Sequence, residues 1–485
     1  MKLYEIISNL NFIGIKNYQD LEINALSCLA QEKTEHGMFF CIKGTKQDGH
    51  NFAETAIKNG TVCLVVERFL DLPITQILVE NVRVAMSYIS SVFFETYKAK
   101  MKFVGITGTN GKTTTTFLIK EILSKLGKGV GLIGTVGVYI NNLLLPANLT
   151  TPDPIDLHKL ILDMQRNGCE YCVMEVSAHA IALNKIDNIF FDVVGLSNIT
   201  KDHLDFFVTM ENYQKAKASL FTCKHAKCGV VNADCKENRD AIKNSDLANM
   251  LVGKDGELKI VSAKESLQVT NVEILWQGKT YKFSTNLIGS YNIDNLMLAI
   301  GTLLKLDFNL KDILNIIKTT TFVIPGRFNV LDVKADYTVV VDYAHTPDGI
   351  KNILSTLRNL PVNKIITVFG CGGNRDKTKR PEMGKMALTY SDKVILTTDN
   401  PRDENPDLII DDIVEGNDAS KFVRITERKS AIEYALSIAK ENDVVAILGK
   451  GAETYQEVCG VKVPFSDYEV VDNYFKFYDA GEISI

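Results

Sequence analysis

Gly105-Ile-Thr-Gly108-Thr-Asn-Gly111-Lys112-Thr113-Thr114 follows the apolar run Met101 to Val104 and opens an amphipathic segment. Residues of these types at this spacing wrap backbone N–H groups around a phosphate chain. A helix N-terminus has unpaired donors and the positive end of the helix dipole, so an anion settles there. Glycine permits the positive-φ turns and the close backbone approach, Lys112 reaches the terminal phosphates, and the Thr113 hydroxyl is placed for Mg²⁺. The expected chemistry is ATP binding through Gly108, Thr109, Asn110, Gly111, Lys112, Thr113 and Thr114.

A second cluster is Glu175-Val-Ser177-Ala-His179, followed by Lys201-Asp202-His203-Leu204-Asp205 and Tyr213-Gln-Lys-Ala216-Lys217. Glu175 ends an apolar strand and His203 comes just after another. Both should emerge at the sheet edge that carries the phosphate loop. A carboxylate and a neutral imidazole there suit a divalent cation beyond the one on Thr113. A third cluster, Asp399-Asn400-Pro401-Arg402, falls at the end of the strand Lys393 to Thr397, where an open α/β domain binds ligand.

These clusters need three sets of elements, and a chain of 485 residues is too long for one ordinary core. Residues 1–99 read as short α/β elements, with Met38 to Ile42 and Thr61 to Glu67 as strands around a helix from Asn51 to Asn59. Residues 100–324 alternate strands and helices around the phosphate loop, implying a mainly parallel sheet, with a β-rich patch from Lys259 to Ser284 as a small accessory sheet. Pro325-Gly326-Arg327 then punctuates the chain. Residues 325–485 begin a new alternation, with strands Tyr337 to Val341, Lys364 to Phe369, Lys393 to Thr397 and Val444 to Leu448. The predicted class is α/β in three domains: a central P-loop ATPase domain with a mainly parallel sheet and a Rossmann-like, doubly wound C-terminal domain.

With 46% hydrophobic and 23% charged residues the composition is that of a globular protein, and a net charge of −5 argues against a nucleic-acid partner. No apolar run is long enough to span a bilayer, and Met1 to Leu10 lacks a signal-peptide core, so a cytoplasmic protein with no membrane partner is expected. The ten cysteines are scattered and do not form a disulfide framework. Cys169-Glu-Tyr-Cys172 runs into a strand, and Cys223, His225, Cys228 and Cys235 straddle one, which favours free structural thiols over metal or redox chemistry.

The phosphate loop has Ile106 where the common G-x-x-x-x-G-K-[ST] pattern has glycine, and in this it resembles the Mur ligase and folylpolyglutamate synthetase superfamily. Thr150-Thr151-Pro152, Glu175-Val-Ser177, Asp202-His-Leu-Asp205, Ala216-Lys217, Gly289 with Asn292 and Asn295, Gly326-Arg327 and Asp342-Tyr-Ala-His345 also resemble Mur ligase motifs, in family order. The resemblance implies an N-terminal domain that binds a uridine diphosphate substrate, a central ATP-binding domain and a C-terminal amino-acid-binding domain. It implies an ATP-dependent amide ligase of peptidoglycan synthesis acting through an acyl phosphate, whose cofactors are ATP and Mg²⁺; a monomer is expected. The small-molecule substrates would be UDP-N-acetylmuramoyl-L-alanyl-D-glutamate and meso-diaminopimelate.

The same resemblance assigns residues. Lys112, Glu175, His203 and Lys217 would be catalytic, with Thr113, Glu175, His203 and Lys217, as its carbamate, around the metal. Asn295, Arg327 and Asp342 match ATP contacts. Thr45, Lys46, Gln47, Thr150, Thr151, Ser177 and Lys185 match contacts to the nucleotide-linked dipeptide, although Leu183 replaces a common glutamine and Lys185 an arginine. The uridine-site triplet has no clear counterpart, and Ser27 and Gln31 both stand near its place. Arg375, Asp399, Asn400, Pro401, Arg402, Gly449 and Glu453 match diaminopimelate contacts, with Ala452 at a usual histidine. Diaminopimelate carries a far carboxylate that a guanidinium grips with two parallel hydrogen bonds, whereas lysine would set Arg402 against an ammonium. The alternatives are a lysine-adding ligase of the same family, a folylpolyglutamate synthetase, a non-catalytic scaffold, and a GTPase reading guanine through Asn184-Lys185-Ile186-Asp187; the last lacks an Asp-x-x-Gly between Lys112 and Asn184.

Overall fold

The computed structural model describes residues 1–44, 47–147, 149–266 and 268–479. It is α/β throughout, built on three sheets that follow one another along the chain. The first has five strands in the order Gly14–Lys16, Thr75–Leu78, Thr61–Val66, Gly37–Phe40, Ala25–Ser27, parallel except for the Gly14–Lys16 edge.

In the second sheet the strand that leads into the phosphate loop, Lys102–Thr107, lies between Tyr171–Glu175 and Phe191–Leu196, parallel to both. Glu175 stands in register with Ile106, and Leu196 with Thr107. The loop, the carboxylate and the segment leading to His203 therefore leave the sheet at one edge, as the pattern of apolar runs predicts. Val104, Ile106, Val173, Val193 and Leu196 are fully buried, because helices cover a parallel sheet on both faces. The helix Lys112–Lys125 packs on one of them beside Ser290–Lys305.

The Lys259 to Ser284 patch is not a separate accessory sheet. Leu258–Glu265 pairs parallel with Ala248–Gly253, and Thr270–Trp276 and Lys279–Thr285 add antiparallel, so the central sheet reaches eleven strands. Val272, Ile274 and Phe283 enter the same core as Ile300, Leu303 and Ile313. Pairing with an existing edge satisfies the backbone groups of these strands and buries their apolar face in one step.

The third sheet runs Asn329–Leu331, Thr338–Asp342, Val444–Leu448, Ile365–Phe369, Lys393–Leu396, Phe422–Arg424, parallel after the first strand. The chain winds outward from Thr338–Asp342 and then returns to insert Val444–Leu448 beside it. Asp342, Gly370, Thr397 and Gly449 follow or end neighbouring strands around that reversal, where doubly wound sheets bind ligand.

One buried histidine gives the fold an acid limit. His158 is 1% exposed, its Nδ1 lies 2.6 Å from Thr96 Oγ1, and its Nε2 has no partner among the described residues. Burial pushes its pKa from 6.5 to about 3. The unfolded chain therefore takes up the proton first as pH falls, and the stability present above pH 6.5 is lost toward pH 3. By pH 4.5 this amounts to on the order of 2 kcal/mol. The thermal midpoint of the wild type should fall more between pH 7 and 4.5 than that of His158→Gln; parallel declines would refute the assignment.

Candidate active site

A cleft of about 590 Å³ opens between the carboxyl ends of the second and third sheets. Of the residues singled out from the sequence, Thr109 to Thr114, Thr150, Thr151, Glu175, Ser177, Lys185, His203, Asn295, Arg327, Asp342, Arg375, Asp399, Asn400, Arg402, Gly449 and Glu453 line it. Gln47, Gly108, Pro401 and Lys217 do not, and Thr45 and Lys46 lie outside the described residues.

The phosphate loop turns at Gly108 (φ +148°) and Gly111 (φ +85°). A Cβ on Gly111 would also lie 2.2 Å from Asn295 Oδ1, so the loop needs glycine there on two counts. Lys112 Nζ donates to the carbonyls of Gly108 (2.9 Å) and Thr109 (2.8 Å). Desolvation lowers its pKa, against the pull of Glu175 and Asp202. From the third sheet's side, Arg327 Nη2 reaches Thr113 Oγ1 at 3.1 Å, its guanidinium 4.4 Å from the centre of the Tyr343 ring. Asp342 accepts from the amides of Phe328 and Ala344, both at 2.7 Å, and burial raises its pKa. The Tyr291 hydroxyl is buried in the cleft wall with no partner among the described residues. An orphaned polar atom beside a glycine-rich, donor-rich loop fits a bound nucleotide.

Glu175 accepts from Thr135 N (2.8 Å) and Thr135 Oγ1 (3.3 Å). His203 is held at φ +55° at the start of a short helix, its ring 4.7 Å from that of His179. Burial pushes its pKa to about 4, so the imidazole is neutral at pH 7. Lys217 is 1% exposed and donates to Gly108 O at 2.8 Å from behind the loop. Desolvation, then Lys112, drive its pKa well below that of an ordinary lysine. Of the four expected metal ligands, Thr113, Glu175 and His203 line the cleft, and Lys217 reaches the loop from behind. No three His, Cys, Asp or Glu side chains form a cage among the described residues. A hydroxyl, one carboxylate and a neutral imidazole nevertheless suit Mg²⁺, which keeps several waters and substrate oxygens in its shell.

On the other flank Thr151 Oγ1 donates to Glu175 O at 2.8 Å and accepts from Ser177 N at 3.1 Å, while Ser177 Oγ caps the helix Ala178–Ala182. Lys185 Nζ pairs with Asp153 at 3.0 Å. Asn184 Nδ2 donates to Asp187 at 3.0 Å, so the Asn184 to Asp187 tetrad is a local turn whose side chains already have partners.

The Asp399 to Arg402 loop is more tightly tied than a free recognition loop would be. Arg402 (φ +51°) donates through Nε to Glu457 Oε2 (2.9 Å) and through Nη1 to Gly373 O (2.8 Å). Glu453 Oε2 accepts from Asn400 Nδ2 (2.9 Å) and from the fully buried Lys450 Nζ (2.8 Å). Pro401 turns out of the cleft, its carbonyl 1.9 Å from where a Cβ on Gly373 would stand. Gly449 (φ +112°) likewise leaves room for Asp399 Oδ2. Arg375 is exposed at the rim.

Sequence reasoning missed the supports. Arg380, 1% exposed, forks onto Glu404 with two 3.0 Å bonds and donates to Gly372 O at 3.1 Å, joining the Arg375 and Arg402 loops. That pairing holds the Glu404 carboxyl at about 2. Lys379, near Asp202 at 4.0 Å, and Thr135 were also missed. Only Lys450, between Gly449 and Gly451, carried a local signal.

Known proteins match this chain along most of its length. The Mur ligase middle domain matches residues 106–303 and the Mur ligase glutamate ligase domain matches residues 326–451. The UDP-N-acetylmuramoyl-L-alanyl-D-glutamate–2,6-diaminopimelate ligase of Aquifex aeolicus is 42% identical over 94% of this chain and 95% of its own. Ligase 1 of the same description from Clostridium acetobutylicum is 37% identical over 98% and 99%. A solved structure of such a ligase superposes with a TM-score of 0.70 at 29% identity, covering 100% of both chains. Mycobacterium tuberculosis folylpolyglutamate synthase shares the fold, with a TM-score of 0.64 at 15% identity over 76% of this chain and 92% of its own. Matching along nearly its whole length, the chain belongs to the Mur ligase family.

Proposed function

We infer that the chain is an ATP-dependent ligase that joins meso-2,6-diaminopimelate to UDP-N-acetylmuramoyl-L-alanyl-D-glutamate in peptidoglycan synthesis. The observation that carries this is one cleft lined on one side by Lys112 and Glu175 and on the other by Arg375 and Arg402. A carboxylate oxygen of the dipeptide attacks the γ-phosphorus of ATP and ADP departs. The amine of diaminopimelate then attacks the acyl carbon, loses a proton, and phosphate leaves with the C–O electron pair. Phosphorylation converts a poor electrophile into a good one.

Lys112 and Arg327 place positive charge where negative charge gathers on the phosphoryl oxygens, from half-buried positions in the cleft. Thr113, Glu175 and His203 would hold Mg²⁺, which when bound supplies further charge neutralisation at those oxygens. Thr150, Thr151, Ser177 and Lys185 are assigned to the dipeptide substrate, and Thr45, Lys46 and Gln47 to its uridine end. Asn295, Arg327 and Asp342 are assigned to ATP. Asp399, Asn400, Gly449 and Glu453 are assigned to the amino acid's polar groups and Arg402 with Arg375 to its far carboxylate. Lys217 is assigned a carbamate: a buried amine driven toward its neutral form adds to CO₂ with loss of a proton, which exchanges a cation for an anion beside the loop. Purified protein with ATP, Mg²⁺ and the UDP-linked dipeptide should release phosphate with meso-diaminopimelate and far less with lysine. Equal turnover of the two, or turnover of lysine alone, would overturn the assignment.

A further inference from the structure

The segment Tyr455–Val458 and Val461–Pro464 forms a two-stranded hairpin outside the third sheet. Its turn, Cys459 (φ +47°) and Gly460 (φ +77°), has the two positive φ values of a tight hairpin. One strand lies against the Asp399 to Arg402 loop. Arg402 N donates to Glu457 O and Cys459 N to Arg402 O, each at 2.9 Å. Gln456 Nε2 donates to Asp399 O at 2.9 Å and Glu457 N to Asn400 Oδ1 at 3.0 Å. This strand thus holds Arg402 in a left-handed conformation that a non-glycine residue rarely adopts.

The side chain is fixed from the same strand. Glu457 Oε2 takes the Nε hydrogen and Gly373 O takes one on Nη1, leaving Nη2 without a partner among the described residues. The Arg402 side chain is 20% and that of Glu457 29% exposed, and Arg402 lines the cleft while Glu457 does not. A guanidinium anchored at Nε has its far end aimed rather than searching among rotamers, which lowers the ordering cost of gripping a carboxylate.

We propose that Glu457 is a positioning residue that sets amino-acid selectivity by holding the Arg402 guanidinium toward the incoming far carboxylate. This rests on the diaminopimelate reading. Charge alone predicts the reverse effect, since an acidic neighbour weakens the pull of Arg402 on an anion; the two accounts separate experimentally. Glu457→Ala should raise KM for meso-diaminopimelate about tenfold, the worth of one charge-assisted hydrogen bond, with KM for ATP unchanged. Glu457→Gln keeps an acceptor for Nε and should restore most of the loss. An unchanged or lower KM in Glu457→Ala, a matching rise in KM for ATP, or a Gln variant as impaired as Ala would each overturn the proposal. Failure of the functional reading is distinct, because wild-type protein would then show no preference for diaminopimelate over lysine. Thermal midpoints close to wild type in both variants keep folding out of the comparison.

Discussion

Replacing Lys112 by alanine should lower phosphate release by about 10³-fold or more while leaving the protein folded. The ammonium sits at the first residue of the Lys112–Lys125 helix, half-buried, with two loop carbonyls as its hydrogen-bond partners. Even a half-buried cation is costly to desolvate, so its removal does not destabilise the loop by the full amount its contacts suggest. Its contribution lies in the reaction, where the phosphoryl group passes between two oxygens. Arg327 also reaches the loop but comes from across the cleft, and cannot occupy the position Lys112 leaves. Comparing kcat with the thermal midpoint separates the two effects. A kcat within tenfold of wild type would sink the assigned mechanism, and a collapsed midpoint would make Lys112 a structural residue.

How far the site could be read in advance depended on how local each signal was. The phosphate loop, Glu175 and Arg402 all lie at the ends of continuous apolar strands, and the elements that place them are encoded within a few residues. The parallel pairing around Lys102–Thr107 followed from the alternation, whereas the order of its strands did not. The Lys259 to Ser284 strands were legible as strands. Their membership of the central sheet was not, because it depends on which helices Val272 and Phe283 bury against. Arg380 and Glu457 escaped for a similar reason: each pairs with a residue 24 or more positions away, Glu404 and Arg402, and nothing near them in the chain marks the partner. Lys217 is the instructive middle case. Its motif was legible, but its burial behind Gly108, which drives the amine toward neutrality, appears only in three dimensions.

Arg402→Ala should raise KM for meso-diaminopimelate roughly 100-fold, as expected for two hydrogen bonds to a charged group, and leave KM for ATP near wild type. The cleft places these demands apart: ATP is assigned to the loop and to Arg327, whereas Arg402 sits on the third sheet beside Gly373 and Glu457. Arg402→Lys should recover little, since an ammonium lacks the Nε that Glu457 holds and the planar fork beyond it. Lysine as substrate provides the counter-test. With no far carboxylate to lose, its turnover should be unchanged or improved by the alanine, because an opposing cation is gone. Alanine at φ +51° carries the same left-handed backbone strain as the arginine it replaces, so strain does not account for a 100-fold change that spares ATP. Equal rises in both Michaelis constants would show that the variant has loosened the whole cleft, and Arg402 would then no longer be the residue that tells the two amino acids apart.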